Sequence, residues 1–509
     1  MLTKRRSFLK SIGLGGLGLS YVHTLEARSP QLPAGIPTTD VSVVRIKGKV
    51  QAEGKGMAGV AVTDGINITT TDAKGNYELL SNASAEFVYI STPRGYEFAN
   101  QNGVVRFYQP VKVVNGAFQA IFTLTKLTQD DTRHNFIVWA DPQMISKEDA
   151  ELFLQQSVPD TRKLLDSYKQ KNNGQLPPFH GVGCGDLVWD RFELFEDYQK
   201  GVTATGIPFF QVIGNHDMDL TARTDEHSAK TFKSTFGPTY YSFNRGEIHY
   251  VVLDDVFFIG TAKKYIGYLT ERQLAWLEQD LALVKAGTTV VVFMHIPANT
   301  GDQRRNKAKE EPIGGVVANR KELYRLLQPY KAHIMSGHTH FNEKIVTGDN
   351  LVEHVHGTVC GAWWTGPVCF DGTPNGYGVY EVNGSTIEWY YKSVGHEKDH
   401  QMRLYPIGAS KEKPDHVVVN VWNWDPAWKV EWLEDGKPMG PMTQETAFDP
   451  LSVELHEGTA KPAKHKWVEP QLTDHLFFAK PSVAASKIKV QVTDRFKNTY
   501  TQEMDVKRS

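Results

Sequence analysis

Cysteine is scarce, with three in 509 residues, too few for a disulfide framework, so packed cores must hold the fold. Net charge is scarce as well. Fifty-six Lys and Arg against 58 Asp and Glu leave a formal charge of −2, which provides no basic field for a polynucleotide, and no nucleic-acid partner is expected. Low-complexity tracts and internal repeats are missing, which argues against disordered and solenoid architectures. The apolar run at 12–22 is Gly-rich and too short to span a bilayer as a permanent helix. No Cys follows it closely, so a lipoprotein anchor is not expected. What is present is 40% hydrophobic and 11% aromatic residues, enough for packed cores. The length suggests about three domains.

The N-terminus reads as a targeting segment. Lys4-Arg5-Arg6-Ser7-Phe8-Leu9-Lys10 ahead of the apolar run looks like a twin-arginine signal, with cleavage near Ala27. The expectation is a signal peptide over 1–27, the twin-arginine export machinery as partner, a periplasmic or otherwise exported location, and no stable membrane anchor after signal removal. Such substrates, by resemblance, cross the membrane already folded.

Residues 38–128 read as a small all-β module of short β-branched runs broken by Gly, Asp and Asn. Its stretches at 54–65 and 69–79 resemble prealbumin-like modules of exported proteins. Residues 133–362 alternate strands with helices. Ser146 caps one helix with Asp149 at its third position, Val158-Pro159 breaks or restarts it, and Thr270 opens another whose Leu274, Leu277 and Leu281 share a face. Alternation of this kind gives an α/β layered domain with its loops at one edge of the sheet. Residues 363–509 turn β-rich again, with a hairpin placed around Asn383-Gly384.

Within the middle region five polar blocks each follow an apolar run, at 136–140, 179–184, 207–213, 288–293 and 332–336. They are Asp141-Pro142-Gln143, Gly185-Asp186 with Asp190 close behind, Gly214-Asn215-His216-Asp217, Met294-His295-Ile296-Pro297, and Gly337-His338-Thr339-His340. Oxygen and imidazole donors brought to the same end of a sheet in this number can hold two divalent ions.

This order of blocks resembles the calcineurin-like metallophosphoesterases over roughly 133–362, and the flanking regions resemble the N- and C-terminal modules of an exported bacterial subset. The resemblance implies an α/β/β/α sandwich flanked by the N-terminal all-β module and a C-terminal β-rich domain. It implies a first metal held by Asp141, Gln143, Asp186 and His340, and a second by Asp186, Asn215, His295 and His338. Asp186 then bridges the two, and a bridging hydroxide attacks the phosphate ester. His216 is the general acid or a stabiliser of the transition state, with Asp217 or Asp190 holding its tautomer. One position departs from the pattern: where the family has Asp-x-His, this chain has Gln143. A neutral oxygen donor there leans the first site towards Mn, Mg or Fe(II) and away from Zn, with Mn favoured.

His354 and His356 alternate on one strand and are expected near the exit of the site, with a structural role preferred over phosphate contact. Trp363 and Trp364 are open between a wall of the cleft and interdomain packing. Cys360 and Cys369 are open as a disulfide pair. The resulting expectation is a hydrolase of small phosphomonoesters or phosphodiesters. Its alternatives are a narrow-specificity phosphodiesterase on nucleotide, lipid or polysaccharide phosphates, and an exported surface-binding protein with a vestigial metal site.

Overall fold

The computed structural model describes residues 43–261, 264–459 and 461–506. The signal segment at 1–27 and the start of the N-terminal module therefore lie outside the described residues.

Two β-sheets face each other at the centre. The first runs in the order Thr386–Ser393, Gly376–Asn383, Arg133–Trp139, Phe179–Cys184, Phe209–Val212, Val104–Val105, Asn100–Gln101. The second runs Tyr241–Arg245, Ile248–Val252, Thr289–Phe293, Lys331–Ser336, Leu351–Val355, Glu343–Thr347. In each, the inner strands are parallel. Such strands are buried on both faces, so they read as continuous apolar runs. Alternate residues then divide the core. Phe136, Val138, Val182 and Phe210 pack between the sheets against Tyr250, Val291 and Phe293. Ile137, Trp139 and Phe209 turn outward to the helices, where Phe153 and Tyr198 cover them.

The helix ends follow their expected caps. Ser146 accepts from the Asp149 N–H ahead of Lys147–Leu152, and Thr270 accepts from the Gln273 N–H ahead of Glu271–Leu281. The Val158-Pro159 junction does not break the chain's helical course. A π-helical turn, Phe153–Ser157, carries it into Val158–Lys171, of which Pro159 is the second residue.

Hydrogen bonding does not follow the boundaries expected from sequence. The hairpin Gly376–Asn383/Thr386–Ser393, assigned there to the C-terminal region, pairs antiparallel with Arg133–Trp139 and completes the first sheet. Its two-residue loop is Gly384-Ser385, one position beyond the expected turn. On the other edge, Val104 of the N-terminal module pairs with Phe209, and Phe98 packs on Phe210 and Phe243 at ring-centroid distances of 4.9 and 5.2 Å. Sequence period shows that a segment is a strand, and its partner is chosen by packing.

The remaining N-terminal strands form two small sheets, one built on Val43–Ala52 paired with Ala117–Leu124 and Asn76–Asn82. The C-terminal region forms two four-stranded antiparallel sheets around Trp428, Trp432, Val419 and Val490. It is tied to the central domain by Asn342, whose Nδ2 donates to the Trp422 carbonyl at 2.8 Å and whose backbone N–H donates to Asp371 Oδ2 at 2.9 Å.

Candidate metal centre

Each of the five polar blocks sits just beyond the carboxyl end of a parallel strand, the edge where open α/β sheets bind ligands. Asp141 follows Arg133–Trp139, Asp186 follows Phe179–Cys184, and Asn215 follows Phe209–Val212. His295 follows Thr289–Phe293, while His338 and His340 follow Lys331–Ser336. Two glycines of these blocks are required by close approach. A Cβ on Gly185 would stand 2.2 Å from His295 Nδ1, and one on Gly337 would stand 2.3 Å from Asp141 Oδ2.

The seven expected ligands converge. Asp186, His295 and His338 offer ligand atoms all within 4.8 Å of one another. His295 Nε2 lies 3.1 Å from Asn215 Oδ1, 3.2 Å from His338 Nδ1 and 3.3 Å from Asp186 Oδ1. His340 Nε2 is 3.7 Å from Asp141 Oδ1. Gln143 Nε2 donates to Asp186 Oδ2 at 3.1 Å, so its side chain reaches the carboxylate expected to bridge. To act as a ligand it must present Oε1, the atom now turned towards Cys360 Sγ at 4.0 Å. All three cysteines are free and buried, which leaves Cys360 and Cys369 unpaired.

The backbone is strained here. Asp141, Gln143, Asp186, Asp190, His338 and His340 all hold positive φ, between 39° and 69°. Left-handed non-glycine residues persist only where their surroundings enforce them, and they cluster at functional sites.

The electrostatics fit divalent ions. Burial, opposed by His295, pushes Asp141 up to about 8. Burial also works against ionised Asp186, but the His295 and His216 imidazoles outweigh it and hold that carboxyl below its ordinary range. His295 is raised to about 10 against its burial by Asp186 and Asp141, while burial lowers His338 to about 3 and His340 to about 4. Carboxylates packed in so dry a pocket draw cations strongly, and a mixed oxygen and imidazole donor set suits first-row divalent metals.

His216 lies beside this cluster. Its backbone N–H donates to Asp186 Oδ1 at 2.8 Å, and its Nδ1 is 2.9 Å from Asp190 Oδ1. Burial alone would lower its pKa, yet Asp186 and Asp190 leave it raised. The two carboxylates expected as alternatives thus separate. Asp190 faces the imidazole. Asp217 instead accepts from the backbone N–H groups of Gly214 at 2.9 Å, Leu187 at 3.1 Å and Val188 at 3.2 Å, clamping together the loops that carry Asp186 and Asn215.

His354 and His356 are not at the exit of the site. Both are buried between the sheets, where His356 bonds the Ser336 carbonyl and the Tyr380 hydroxyl, each at 2.7 Å. Trp364 is buried and donates to the Pro142 carbonyl at 3.0 Å, whereas Trp363 lies on His340 with ring centroids 4.6 Å apart. Two features carried no sequence signal. Trp189 stands against His216 at 5.2 Å. A cavity of about 240 Å³ beside His338 is lined by Arg305, Phe341, Phe370 and Gln471, residues drawn from four segments of the chain.

Three family models match the chain in tandem. They describe the N terminal of calcineurin-like phosphoesterase over residues 44–127, calcineurin-like phosphoesterase over 134–342, and the C terminal of calcineurin-like phosphoesterase over 353–500. Human serine/threonine-protein phosphatase CPPED1 is 32% identical over 127 residues, 23% of this chain and 39% of the relative. Purple acid phosphatase 15 of Arabidopsis thaliana is 25% identical over 286 residues, 53% of this chain and 45% of the relative. The matches span less than half the length of either relative. Among solved structures, a dimetal phosphatase from Danio rerio aligns with a TM-score of 0.37 at 13% identity, over 51% of this chain and 96% of that one. The structure of PhoD aligns with 0.33 at 8% identity, over 93% and 87%.

Proposed function

Because the chain belongs to the calcineurin-like phosphoesterases, and is thus a hydrolase acting on phosphoric ester bonds, we propose that it is an exported hydrolase of small phosphomonoesters or phosphodiesters. The observation that carries this reading is the convergence of Asp186, His295 and His338 within 4.8 Å, with the His216–Asp190 pair alongside. Asp141, Gln143, Asp186 and His340 would hold one ion, and Asp186, Asn215, His295 and His338 the other. Once bound, a pair of divalent ions supplies Lewis acidity towards the phosphate oxygens and the hydroxide nucleophile that the family resemblance implies.

The protein's own groups supply orientation and the proton. Asp190 engages His216 Nδ1, which fixes the ring and leaves Nε2 to hold a proton for the leaving oxygen. Asp217 keeps the Asp186 and Asn215 loops in register through its three backbone contacts. His338 donates its backbone N–H to both Asp141 oxygens, at 3.1 and 3.0 Å, holding that carboxylate towards the cluster.

A panel of p-nitrophenyl phosphate, bis-p-nitrophenyl phosphate and nucleotides, with Mn, Mg, Zn and Fe(II) added in turn, tests the activity. Turnover of at least one ester, dependent on added metal, is expected, and inertness across the panel would sink the reading. Export through the twin-arginine route rests on Arg5 and Arg6. Replacing both with Lys should hold the protein in the cytoplasm, folded and active, and an unchanged periplasmic yield would refute that route.

A further inference from the structure

Beside the ligand cluster stands a wall of aromatic rings that the phosphoryl chemistry leaves unused. Trp363 lies on His340 at 4.6 Å and Trp189 lies on His216 at 5.2 Å. The two indoles are 5.7 Å apart, so the wall runs from the ligands to the acid–base pair. Its outer course comes from the C-terminal region. Trp467 packs on Trp363 at 4.4 Å and edge-on to Trp189 at 6.2 Å, and His465 stacks on Trp189 at 5.3 Å.

Two features mark this group. Trp467 remains 54% exposed despite its contacts, although indoles are highly buried on average. Trp363 holds a left-handed backbone, φ 53°, a genuine outlier for so bulky a residue and one it shares with the neighbouring ligands.

The segment carrying Trp467 is also fastened down. Lys464 pairs with buried Asp149, Val468 is buried, and the Gln471 N–H donates to the Phe370 carbonyl at 3.3 Å. The exposed indole is therefore held in place over the site.

Building on the phosphoesterase reading above, we propose that Trp467, Trp189 and Trp363 form a leaving-group subsite for a planar aromatic ring, as in aryl esters or nucleotides. The wall abuts His216, the residue that faces the departing oxygen, so the ring it receives belongs to the leaving group. Stacking on indole faces accepts any flat π-system with little discrimination by sequence or substituent. A single stack of this kind accounts for roughly a five- to hundredfold preference.

The test is the ratio of kcat/KM for an aromatic ester over β-glycerophosphate, measured with p-nitrophenyl phosphate and with a nucleoside 5′-monophosphate. Trp467→Ala should lower that ratio about five- to hundredfold, and Trp467→Phe should restore most of it. An unchanged ratio with both aromatic esters would overturn the subsite. Loss with only one of them would identify which ring, aryl or nucleobase, the wall receives. Binding without chemistry gives a second readout: unphosphorylated adenosine should quench wild-type tryptophan fluorescence, and Trp467→Ala should weaken that quenching. If the wild type hydrolyses no ester at all, the phosphoesterase reading fails, and the quenching alone then decides the subsite, its absence overturning it.

Discussion

Two sets of buried imidazoles lie within one domain, and the contrast between them shows what makes a site. His295, His338 and His340 stand at strand ends among Asp141 and Asp186, the last two histidines on left-handed backbone, with His295 and His338 ring nitrogens facing each other and His340 Nε2 facing Asp141. His134, His180, His333, His354 and His356 lie between the sheets among Phe136, Tyr250, Tyr380 and Trp389. The charges near this second set include Arg245, Lys344 and Arg495. Burial lowers every one of its members, His134 to about 3 and His333 to about 4. In the first set His295 is driven the other way by two carboxylates. Elsewhere His249 and His475 each face one carboxylate, Asp280 at 2.8 Å and Asp371 at 3.0 Å. Pairing satisfies an imidazole, and several carboxylates converging on several imidazoles leave a demand for cations.

The largest effect should come from Asp186, the carboxylate shared by both proposed ions. Asp186→Ala is expected to lose bound metal at both positions and to fall to background activity, as read by elemental analysis beside the phosphatase assay. A variant that retains two equivalents of metal would remove Asp186 from the bridging role and erase the distinction drawn between the two histidine sets.

The next effect separates neighbours within one loop. Asn215→Ala should lower both metal content and rate. His216→Ala should keep its metal and lose about 10²–10⁴-fold in turnover, the usual size of a general-acid contribution. Alkyl phosphates should suffer more than p-nitrophenyl phosphate, whose leaving group barely needs a proton. If His216→Ala loses its metal, then His216 belongs to the ligands.

The convergence of the seven expected ligands was legible in the sequence because each sits where an apolar strand run stops, and strand ends on one sheet edge must meet. The partner of His216 was not. Asp217 is its neighbour along the chain, yet the turn at Gly214 points that carboxylate back onto backbone N–H groups, while Asp190 arrives from another loop. His354 and His356 were read correctly as sharing a face, but period two cannot say whether that face meets solvent or a second sheet. The roles of Trp189 and Trp467 carry no local signal at all, and the hairpin 376–393 was legible as a hairpin but not as part of the first sheet, because these roles depend on partners far along the chain.

A smaller effect concerns Gln143, whose amide touches Asp186. Gln143→His should move the optimum from Mn or another oxygen-tolerant ion towards Zn, with a change in metal affinity on the order of 10–100-fold. Identical metal profiles for wild type and variant would show that position 143 orients Asp186 without binding metal.

The smallest effect lies in the second histidine set and is one of stability alone. His356 bonds the Ser336 carbonyl and the Tyr380 hydroxyl, so His356→Leu strands two polar groups between the sheets. That should cost about 1–3 kcal/mol in denaturant unfolding at pH 7.5, with metal content and kcat unchanged. The pH dependence has a definite sign. Burial, helped by the Lys344 charge, pushes His356 down to about 3 in the fold, while in the unfolded chain it titrates near about 6.5. Between those values the unfolded chain binds the extra proton, so the stability that His356 contributes is whole above pH 6.5 and drains away as pH falls towards 3. The gap between wild type and His356→Leu should therefore narrow on acidification, by at most about 1.4 kcal/mol per pH unit. A gap that held constant from pH 7.5 to 5.5 would mean that His356 is not kept neutral by burial. A variant that lost metal or turnover would tie the two histidine sets into one functional unit.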